Sequence, residues 1–363
     1  MRKLIFASLL VAAIGCKNDS EVSHLSAEEE TTNPNNIILL IGDGMGVTQI
    51  SSLYAFEDKT ASFDRFKNIG FIKTASSDSR ITDSAAGATA FASGIKTYNA
   101  AIGVDNDTVA VETIVEILSK AGWKTGLVAT SSITHATPAA FFAHVAHRKM
   151  EEEIAKQLYE ADLDIVIGGG EKYFKTRKDG INYLDSLKSK GYHVKTRSDQ
   201  DLEIENPAGK EAHLMGESAM QKVSEGRGDF LTEASLYTIN KLQKTNDNFF
   251  VMIEGSQIDW GGHANDHDYI VDEMLDFDKT INAVLDFAEK DGNTLVIVTA
   301  DHETGGYALS SGKDGYKSVT GTFSTGGHTA ALIPVFAFGP GSENFQGVYE
   351  NNEIFHKMLE SIK

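Results

Sequence analysis

The sequence predicts an α/β protein, a three-layer α/β/α sandwich around a central, mostly parallel sheet. Two observations support this prediction. Short apolar runs, which are typical of strands buried on both faces, alternate along the chain with longer segments of helical periodicity. Each apolar run is also followed within two residues by a glycine or a polar residue, which indicates where a buried strand reaches the edge of the sheet.

The apolar runs predict strands, and the periodic segments between them predict helices. In chain order the strands are expected at residues 37–41, 124–129, 164–167, 249–253, 295–299 and 332–338. The helices are expected at residues 109–120, 151–160, 229–244 and 269–289. A further helix is expected to begin at Ser84, because Asp83 is a good N-cap residue and the small residues that follow favour helix.

The first residues have the pattern of an export signal. Arg2 and Lys3 precede the apolar run 4–14, which is too short to remain as a membrane span. Cys16 is the single cysteine, so no disulfide can form within the chain. Its place after a short small-residue segment resembles a lipoprotein cleavage site, which predicts a lipid anchor through Cys16 in the periplasm or cell envelope. Since Ala13 replaces the usual leucine, ordinary cleavage nearby is the alternative.

The rest of the chain is expected to form a polar tether at residues 17–35 and one folded domain at residues 36–363. Residues 172–227 are polar, with few long apolar runs, and are interpreted as an insertion or cap on the main sheet. The length of 363 residues and the hydrophobic content of 41% allow a large core. The formal charge of −19 argues against a nucleic-acid scaffold, which would need a basic face.

Acidic and imidazole groups come just after several predicted strands. Asp43 follows the first strand, Glu254 the fourth, and Asp301 and His302 the fifth. Ligands of open α/β sheets bind beyond the carboxyl ends of the strands, so these groups are expected to face one another there. Converging carboxylates repel each other unless a cation lies between them, which makes a metal centre the natural interpretation.

A second set of candidate ligands lies further along the chain. Asp259 and His263 are four residues apart, which on a helix places them on one side, and His328 lies in a glycine-rich segment. Oxygen and imidazole ligands without thiolates are typical of catalytic zinc. Each piece alone is also compatible with surface polarity, a helix cap or a turn. Their shared position at strand ends is what favours a metal centre.

Two features carry rival interpretations. The glycine-rich turn 42–46 has the spacing G-x-G-x-G, whereas a dinucleotide-binding turn needs G-x-G-x-x-G, so that class of site is rejected. Ser84 at a helix N-terminus could meet a phosphate, because free amides there bind anions, or the helix could merely be capped and closely packed.

Taken together, the motifs resemble those of alkaline phosphatases, in the same order and over about residues 35–361. The matching segments are Gly42–Gly46 (GDGMG), Asp83-Ser84-Ala85, Thr137-Pro138-Ala139-Ala140, Glu254–Asp259 (EGSQID), Thr299-Ala300-Asp301-His302 and Gly327-His328-Thr329. The resemblance implies the fold of that family, hydrolysis of phosphate monoesters through a phosphoserine intermediate, two Zn²⁺ and one Mg²⁺, and a homodimer.

The resemblance also implies a role for each matching residue. One zinc would be held by Asp259, His263 and His328, and the other by Asp43, Asp301 and His302 with Ser84 at its open position. Magnesium would be held by Asp43, Thr137 and Glu254. Ser84 would be the nucleophile and Arg148 would grip the phosphate oxygens, since a guanidinium can bind them in a bidentate manner. His144 and His147 are interpreted as structural.

Two positions depart from the pattern of the best-studied bacterial members. His135 replaces an aspartate, which leaves the identity of the third metal open. Trp260 replaces a lysine, which is expected to change the strength of phosphate binding. The alternative is that Trp260 only packs over the zinc ligands. A phosphodiesterase, a sulfatase and a non-catalytic metal-binding lipoprotein are the rival functions. Ser84 lacks the C/S-x-P-x-R setting of a sulfatase, and a storage protein would need neither Ser84 nor Arg148.

Overall fold

The fold is described from a computed structural model, which describes residues 33–56, 60–199 and 209–363. The predicted export signal with Cys16 lies outside these residues, and so does the predicted tether up to residue 32. No helix within the described ranges has both the length and the apolar character needed to cross a membrane.

The centre of the molecule is a ten-stranded, mostly parallel sheet in the order β14-β2-β13-β8-β1-β7-β3-β4-β6-β5. Its strands are β1 Asn36–Gly42, β2 Asn68–Lys73, β3 Lys124–Ser132, β4 Ile165–Gly169, β5 His193–Thr196, β6 Glu211–Gly216, β7 Phe249–Gly255, β8 Thr294–Thr299, β13 Ile333–Phe338 and β14 Gly347–Glu350. Two small antiparallel pairs lie beside it: β9 Glu303–Thr304 with β12 His328–Thr329, and β10 Ala308–Gly312 with β11 Gly315–Thr322. Within the large sheet only β13 runs antiparallel to its neighbours, β8 and β2.

Helices cover both faces of this sheet, which confirms the predicted three-layer class. They are α1 Val47–Phe56, α2 Ser84–Ser93, α3 Ile114–Lys120, α4 Ala136–Ala139, α5 Glu151–Glu160, α6 Glu171–Lys175, α7 Tyr183–Ser189, α8 Phe230–Gln243, α9 Gln257–Ala264, α10 His267–Asp291 and α11 Glu353–Ser361. Short 3-10 turns occur at Ser62–Arg65, Val223–Glu225 and Ser342–Phe345. In one layer α8 and α10 pack together, and α10 also contacts α1. In the other, α2 contacts α3, α4 and α11.

The buried strands predicted from apolar runs are all present, and β1 illustrates why. All seven residues of β1 are buried, and β7 and β8 pair with its two edges. In such a strand neither face meets water, so the sequence is continuously apolar rather than alternating.

One helix begins later than the sequence pattern indicated. The prediction of a helix from residue 109 is wrong at its start, because the helix α3 begins at Ile114. Ala110 pairs with Val104 in an isolated bridge. Thr113 then caps the helix by accepting from the backbone N–H of Glu116, whose side chain accepts in return from the N–H of Thr113. This capping box fixes the N-terminus there and overrides the apolar periodicity.

The polar stretch 172–227 contributes to the main sheet. Its described residues include most of α6, the helix α7 and the strands β5 and β6, and these strands extend the sheet beyond β4 in parallel register. The stretch therefore supplies the last two strands at one edge of the sheet. The domain boundaries drawn from the sequence stay predictions.

Candidate active site

The carboxyl ends of β1, β7 and β8 bring the first set of predicted ligands together. These strands run parallel and in register, with Ile41 opposite both Glu254 and Thr299. Asp43, Asp301 and His302 lie just beyond the strand ends and are fully buried. The Nε2 atom of His302 is 3.2 Å from Asp301 Oδ2 and 3.6 Å from Asp43 Oδ1. These three residues form a group that could hold a metal ion.

Close approach of the backbone at this edge depends on Gly44. Its φ of 75° lies in the left-handed region, and a Cβ atom there would be 2.7 Å from the Cα of Asp259. The Gly44 N–H donates to Asp301 Oδ1 at 3.2 Å. The turn after β1 therefore needs glycine both for its conformation and for the space taken by the helix α9.

The second set of ligands converges from α9 and β12. His263 Nε2 lies 3.4 Å from Asp259 Oδ2, and His328 Nε2 lies 3.6 Å from Asp259 Oδ1. The helix spacing thus does bring Asp259 and His263 to one side, as predicted, and the chain returns from β11 to place His328 opposite them.

The tautomer of these two imidazoles follows from their neighbours. His263 Nδ1 is 2.8 Å from the carbonyl oxygen of Gly326, and His328 Nδ1 is 2.8 Å from that of Thr82. A carbonyl only accepts, so each Nδ1 donates, and the neutral imidazole that makes this bond has its lone pair on Nε2. These two Nε2 atoms lie 3.2 Å apart and face a carboxylate. Lone pairs converging in this way are stabilised by a cation.

A third group lies deeper, beside Asp43. Asp43, His135 and Glu254 are close enough to share one metal ion, and Thr137 lies beside Glu254. Glu254 Oε2 accepts from the hydroxyls of Ser131 and Ser256, which orients the carboxylate. Several buried polar atoms of the described site have no hydrogen-bond partner: both carboxylate oxygens of Asp43, Glu254 Oε1, Asp301 Oδ2, Thr137 Oγ1 and His135 Nδ1. Buried acceptors without donors are the signature that metal binding would explain.

Burial raises the pKa of the carboxylates at this edge. The pKa of Asp43 lies well above its usual range because of desolvation and the nearby charges of Asp301, Asp259 and Glu254. Desolvation also raises the pKa of Glu254 to about 7 and raises that of Asp301. The pKa of His302 lies well below its usual range, because burial and His328 disfavour its cation. A bound cation would reverse these tendencies for the carboxylates and favour their charged forms.

Ser84 lies where the sequence places it, in the first turn of α2. The Asp83 side chain accepts from the Ala86 N–H at 3.1 Å, which confirms the predicted N-cap. Ser84 is buried, and its Oγ lies 3.3 Å from His302 Nε2. The hydroxyl is therefore both at the end of a helix dipole and beside a candidate metal ligand.

Arg148 is held next to Ser84 by contacts that the sequence did not reveal. Its Nη1 donates to Asp83 Oδ2 at 3.0 Å, and its Nη2 lies 3.2 Å from His135 Nε2. Its backbone N–H donates to the carbonyl of Ala100. Asp83, which the sequence indicated only as a cap, therefore also orients the guanidinium. Burial and the Arg148 charge lower the pKa of His135 to about 3, so its imidazole is neutral.

The remaining predicted residues lie around this site. Trp260 packs edge-on against His135, with 6.1 Å between the ring centroids. His144 Nδ1 donates to the carbonyl of Gly103 (2.7 Å), and its Nε2 lies 3.3 Å from Glu116 Oε1, which fits the structural role expected for His144. One contributor was missed altogether: Thr304, two residues after His302, contacts both sets of ligands. No sequence pattern marks a threonine at that position.

Known proteins resemble this chain over most of its length. The family model described as alkaline phosphatase matches residues 34–322. Alkaline phosphatase 3 of Bacillus subtilis is 34% identical over an alignment that covers 90% of this chain and 89% of that protein. Alkaline phosphatase of Escherichia coli is 29% identical, with 90% of this chain and 86% of that protein covered.

Solved structures give the same result. The alkaline phosphatase of the Antarctic bacterium TAB5 superposes with a TM-score of 0.88 at 53% identity, covering 91% of this chain and 98% of that one. A histidine-to-aspartate variant of that enzyme carries Mg in a site named M3. The family match extends over well more than half of the chain and includes Ser84, Arg148 and all the converging ligands except His328. The chain is therefore a phosphatase that belongs to the alkaline phosphatase family.

Proposed function

We propose that this phosphatase hydrolyses phosphate monoesters through a phosphoserine at Ser84, at a centre of two Zn²⁺ and one Mg²⁺. The observation that carries the proposal is the convergence of carboxylate oxygens and imidazole lone pairs next to a serine at a helix N-terminus. A helix N-terminus binds the phosphate dianion, and the converging acceptors bind cations that balance its charge.

The metals are assigned by the donor sets. Asp259, His263 and His328 would hold one zinc, and Asp43, Asp301 and His302 would hold the other together with Ser84. Asp43, Thr137 and Glu254 would hold magnesium, as supported by their unpartnered buried oxygens. When bound, such ions supply Lewis-acid stabilisation of oxygen anions and lower the pKa of hydroxyl groups that contact them. His135 lies beside the proposed magnesium position, so the identity of the third metal is to be determined by measuring the metal content.

Ser84, Arg148 and Asp83 then have separate roles in phosphoryl transfer. Ser84 Oγ forms a bond to phosphorus as the bond from phosphorus to the ester oxygen breaks; the proton that leaves Ser84 passes to solvent, and the ester oxygen takes up a proton from solvent and departs as the alcohol. Arg148 binds phosphate oxygens through guanidinium N–H groups that its contacts with Asp83 and His135 do not use. Asp83 accepts from both Ala86 N and Arg148 Nη1, so one carboxylate positions the nucleophile's helix and the guanidinium together. Water afterwards cleaves the Ser84–phosphate bond and releases inorganic phosphate.

The substrate class is tested by comparing esters. We expect the purified enzyme to hydrolyse 4-nitrophenyl phosphate at least about 100-fold faster, in kcat/KM, than bis(4-nitrophenyl) phosphate, since the site binds a dianion. 4-Nitrophenyl sulfate serves as the control for sulfatase activity. Faster cleavage of the diester or the sulfate would contradict the proposal. No cleavage of any ester by the metal-loaded protein would favour the metal-binding lipoprotein.

Trp260 is proposed to weaken phosphate binding. Because an indole has no charge, Trp260→Lys is expected to tighten inhibition by inorganic phosphate about fivefold, equivalent to about 1 kcal/mol, and less at high salt. The inhibition constant is measured for metal-loaded enzymes at two salt concentrations. Trp260→Met, similar in length to lysine but uncharged, is the matched control. Equal inhibition constants for the lysine and methionine variants would mean that Trp260 only packs against His135.

Location is proposed from the N-terminal sequence. The pattern of residues 1–16 supports export to the periplasm or cell envelope, and the setting of Cys16 supports a lipid anchor. A homodimer is proposed from the family resemblance. The mass of the mature N-terminal peptide distinguishes lipidation at Cys16 from ordinary cleavage nearby.

A further inference from the structure

Thr304 lies where the segments that carry Asp43, Asp259, His302 and His328 meet. It is fully buried in β9, opposite His328 of β12. Its backbone N–H donates to Gly44 O at 3.2 Å, and its carbonyl accepts from Gln49 Nε2 at 2.9 Å. Its methyl group packs against α9, since a Cβ at Gly262 would lie 2.8 Å from Thr304 Cγ2. The side chain therefore has little freedom to move.

The hydroxyl of Thr304 contacts one ligand from each zinc set. Oγ1 forms a short hydrogen bond with Asp259 Oδ1 and lies 3.2 Å from His302 Nδ1. An ionised carboxylate only accepts, so the single hydroxyl proton points to Asp259. The hydroxyl must then accept from His302, which places the imidazole proton on Nδ1 and leaves the lone pair on Nε2. That Nε2 is the atom that faces Asp43, Asp301 and Ser84.

We infer that Thr304 is a positioning residue whose hydroxyl holds His302 in the Nδ1–H tautomer and orients Asp259, so that one side chain prepares a ligand of each zinc site. The inference rests on the proposed function for the presence of zinc. The other two imidazoles differ, because His263 and His328 obtain the same tautomer from backbone carbonyls. Only for His302 can the tautomer be changed by a side-chain substitution.

Loss of the hydroxyl has a definite consequence. In Thr304→Val, a methyl group replaces the hydroxyl at nearly the same volume, so His302 Nδ1 loses its acceptor and Asp259 loses a donor. His302 can then place its proton on Nε2 and donate it to Ser84 Oγ, 3.3 Å away. That tautomer has no lone pair on Nε2, the nitrogen that faces the proposed zinc position, so zinc must first displace the proton. Removing the outer partner of a metal-binding histidine typically weakens metal affinity about 10- to 100-fold.

The test compares hydroxyl and methyl losses at the same position. Zinc-free wild type, Thr304→Val and Thr304→Ser are labelled with ¹⁵N-histidine, and the tautomer of His302 is read from long-range ¹H–¹⁵N spectra. The His302 signals are assigned by their loss in His302→Asn. We expect Nδ1–H in wild type and Thr304→Ser, and a shift to Nε2–H in Thr304→Val. Zinc affinity, measured by competition with a chelator, should fall about 10- to 100-fold in the valine variant and less than about threefold in the serine variant.

The outcomes separate this inference from the proposed metal centre. Equal zinc affinity and an unchanged His302 tautomer in Thr304→Val would overturn the role of Thr304, and an equal loss in the serine variant would show that only packing matters. If the valine variant does not fold, as judged by its zinc-free melting temperature, Thr304→Ala replaces it with the same expectations. A wild-type protein that binds no zinc would instead contradict the proposed centre itself.

Discussion

Replacing Ser84 by alanine is expected to reduce kcat for a phosphate monoester by about three orders of magnitude or more, because the group that bonds to phosphorus is removed. The metals and Arg148 would still bind the substrate, so a small residual rate by direct attack of water is expected. The measurement is steady-state hydrolysis of 4-nitrophenyl phosphate by metal-loaded enzyme. Wild type incubated with phosphate at low pH should also carry a phosphoryl group on the tryptic peptide that contains Ser84.

Ser93 provides a matched control for this experiment. It is a buried serine at the other end of the same helix, and its Oγ finds no hydrogen-bond partner in the described structure. Ser93→Ala should therefore keep the rate within about twofold, since it removes only a hydroxyl that has no hydrogen-bond partner and lies at the far end of the helix from Ser84. A Ser84→Ala enzyme with more than a tenth of the wild-type rate would exclude Ser84 as the nucleophile, and so would a phosphorylated peptide elsewhere in the chain.

Complete removal of metal ions is expected to abolish activity and lower the melting temperature. The reason is that Asp43, Glu254 and Asp301 are buried acceptors whose pKa values are raised by desolvation, so cations are needed to keep them ionised together. A ligand whose free concentration is 1,000 times its Kd stabilises the folded state by about 4 kcal/mol. Activity with zinc alone, magnesium alone and both together is measured after dialysis against a chelator, with metal content determined in each sample.

We expect zinc to restore activity to the metal-free enzyme, and zinc plus magnesium to restore it fully. Acid should act in the same direction as the chelator, because ligands bind metals only when deprotonated and protons compete as the pH falls. The chelator does not affect the contacts of lysines, arginines and the backbone away from the site. Adding the metals back should therefore restore the melting temperature. Full activity in a sample verified to be metal-free would contradict the proposed mechanism.

The fold and most of the candidate ligands follow from local sequence. Strands buried on both faces, such as β1, must be continuously apolar, and parallel strands bring their carboxyl ends to one edge. Asp43, Glu254 and His302 could therefore be placed together from their positions after strands. The start of α3 could not, because the capping box at Thr113 competes with an apolar pattern that continues through it.

By itself, then, the sequence determined the class of fold, the edge where the chemistry lies and the residue types that converge there, since these depend on hydrophobic periodicity and on residues adjacent to it. The tertiary structure decided how those residues are held. The contact of Arg148 with Asp83 spans 65 positions, and that of Thr304 with Asp259 spans 45. Tautomers, carboxylate orientation and pKa shifts depend on such long-range contacts and on burial, and no local pattern encodes which distant side chain will supply the hydrogen bond.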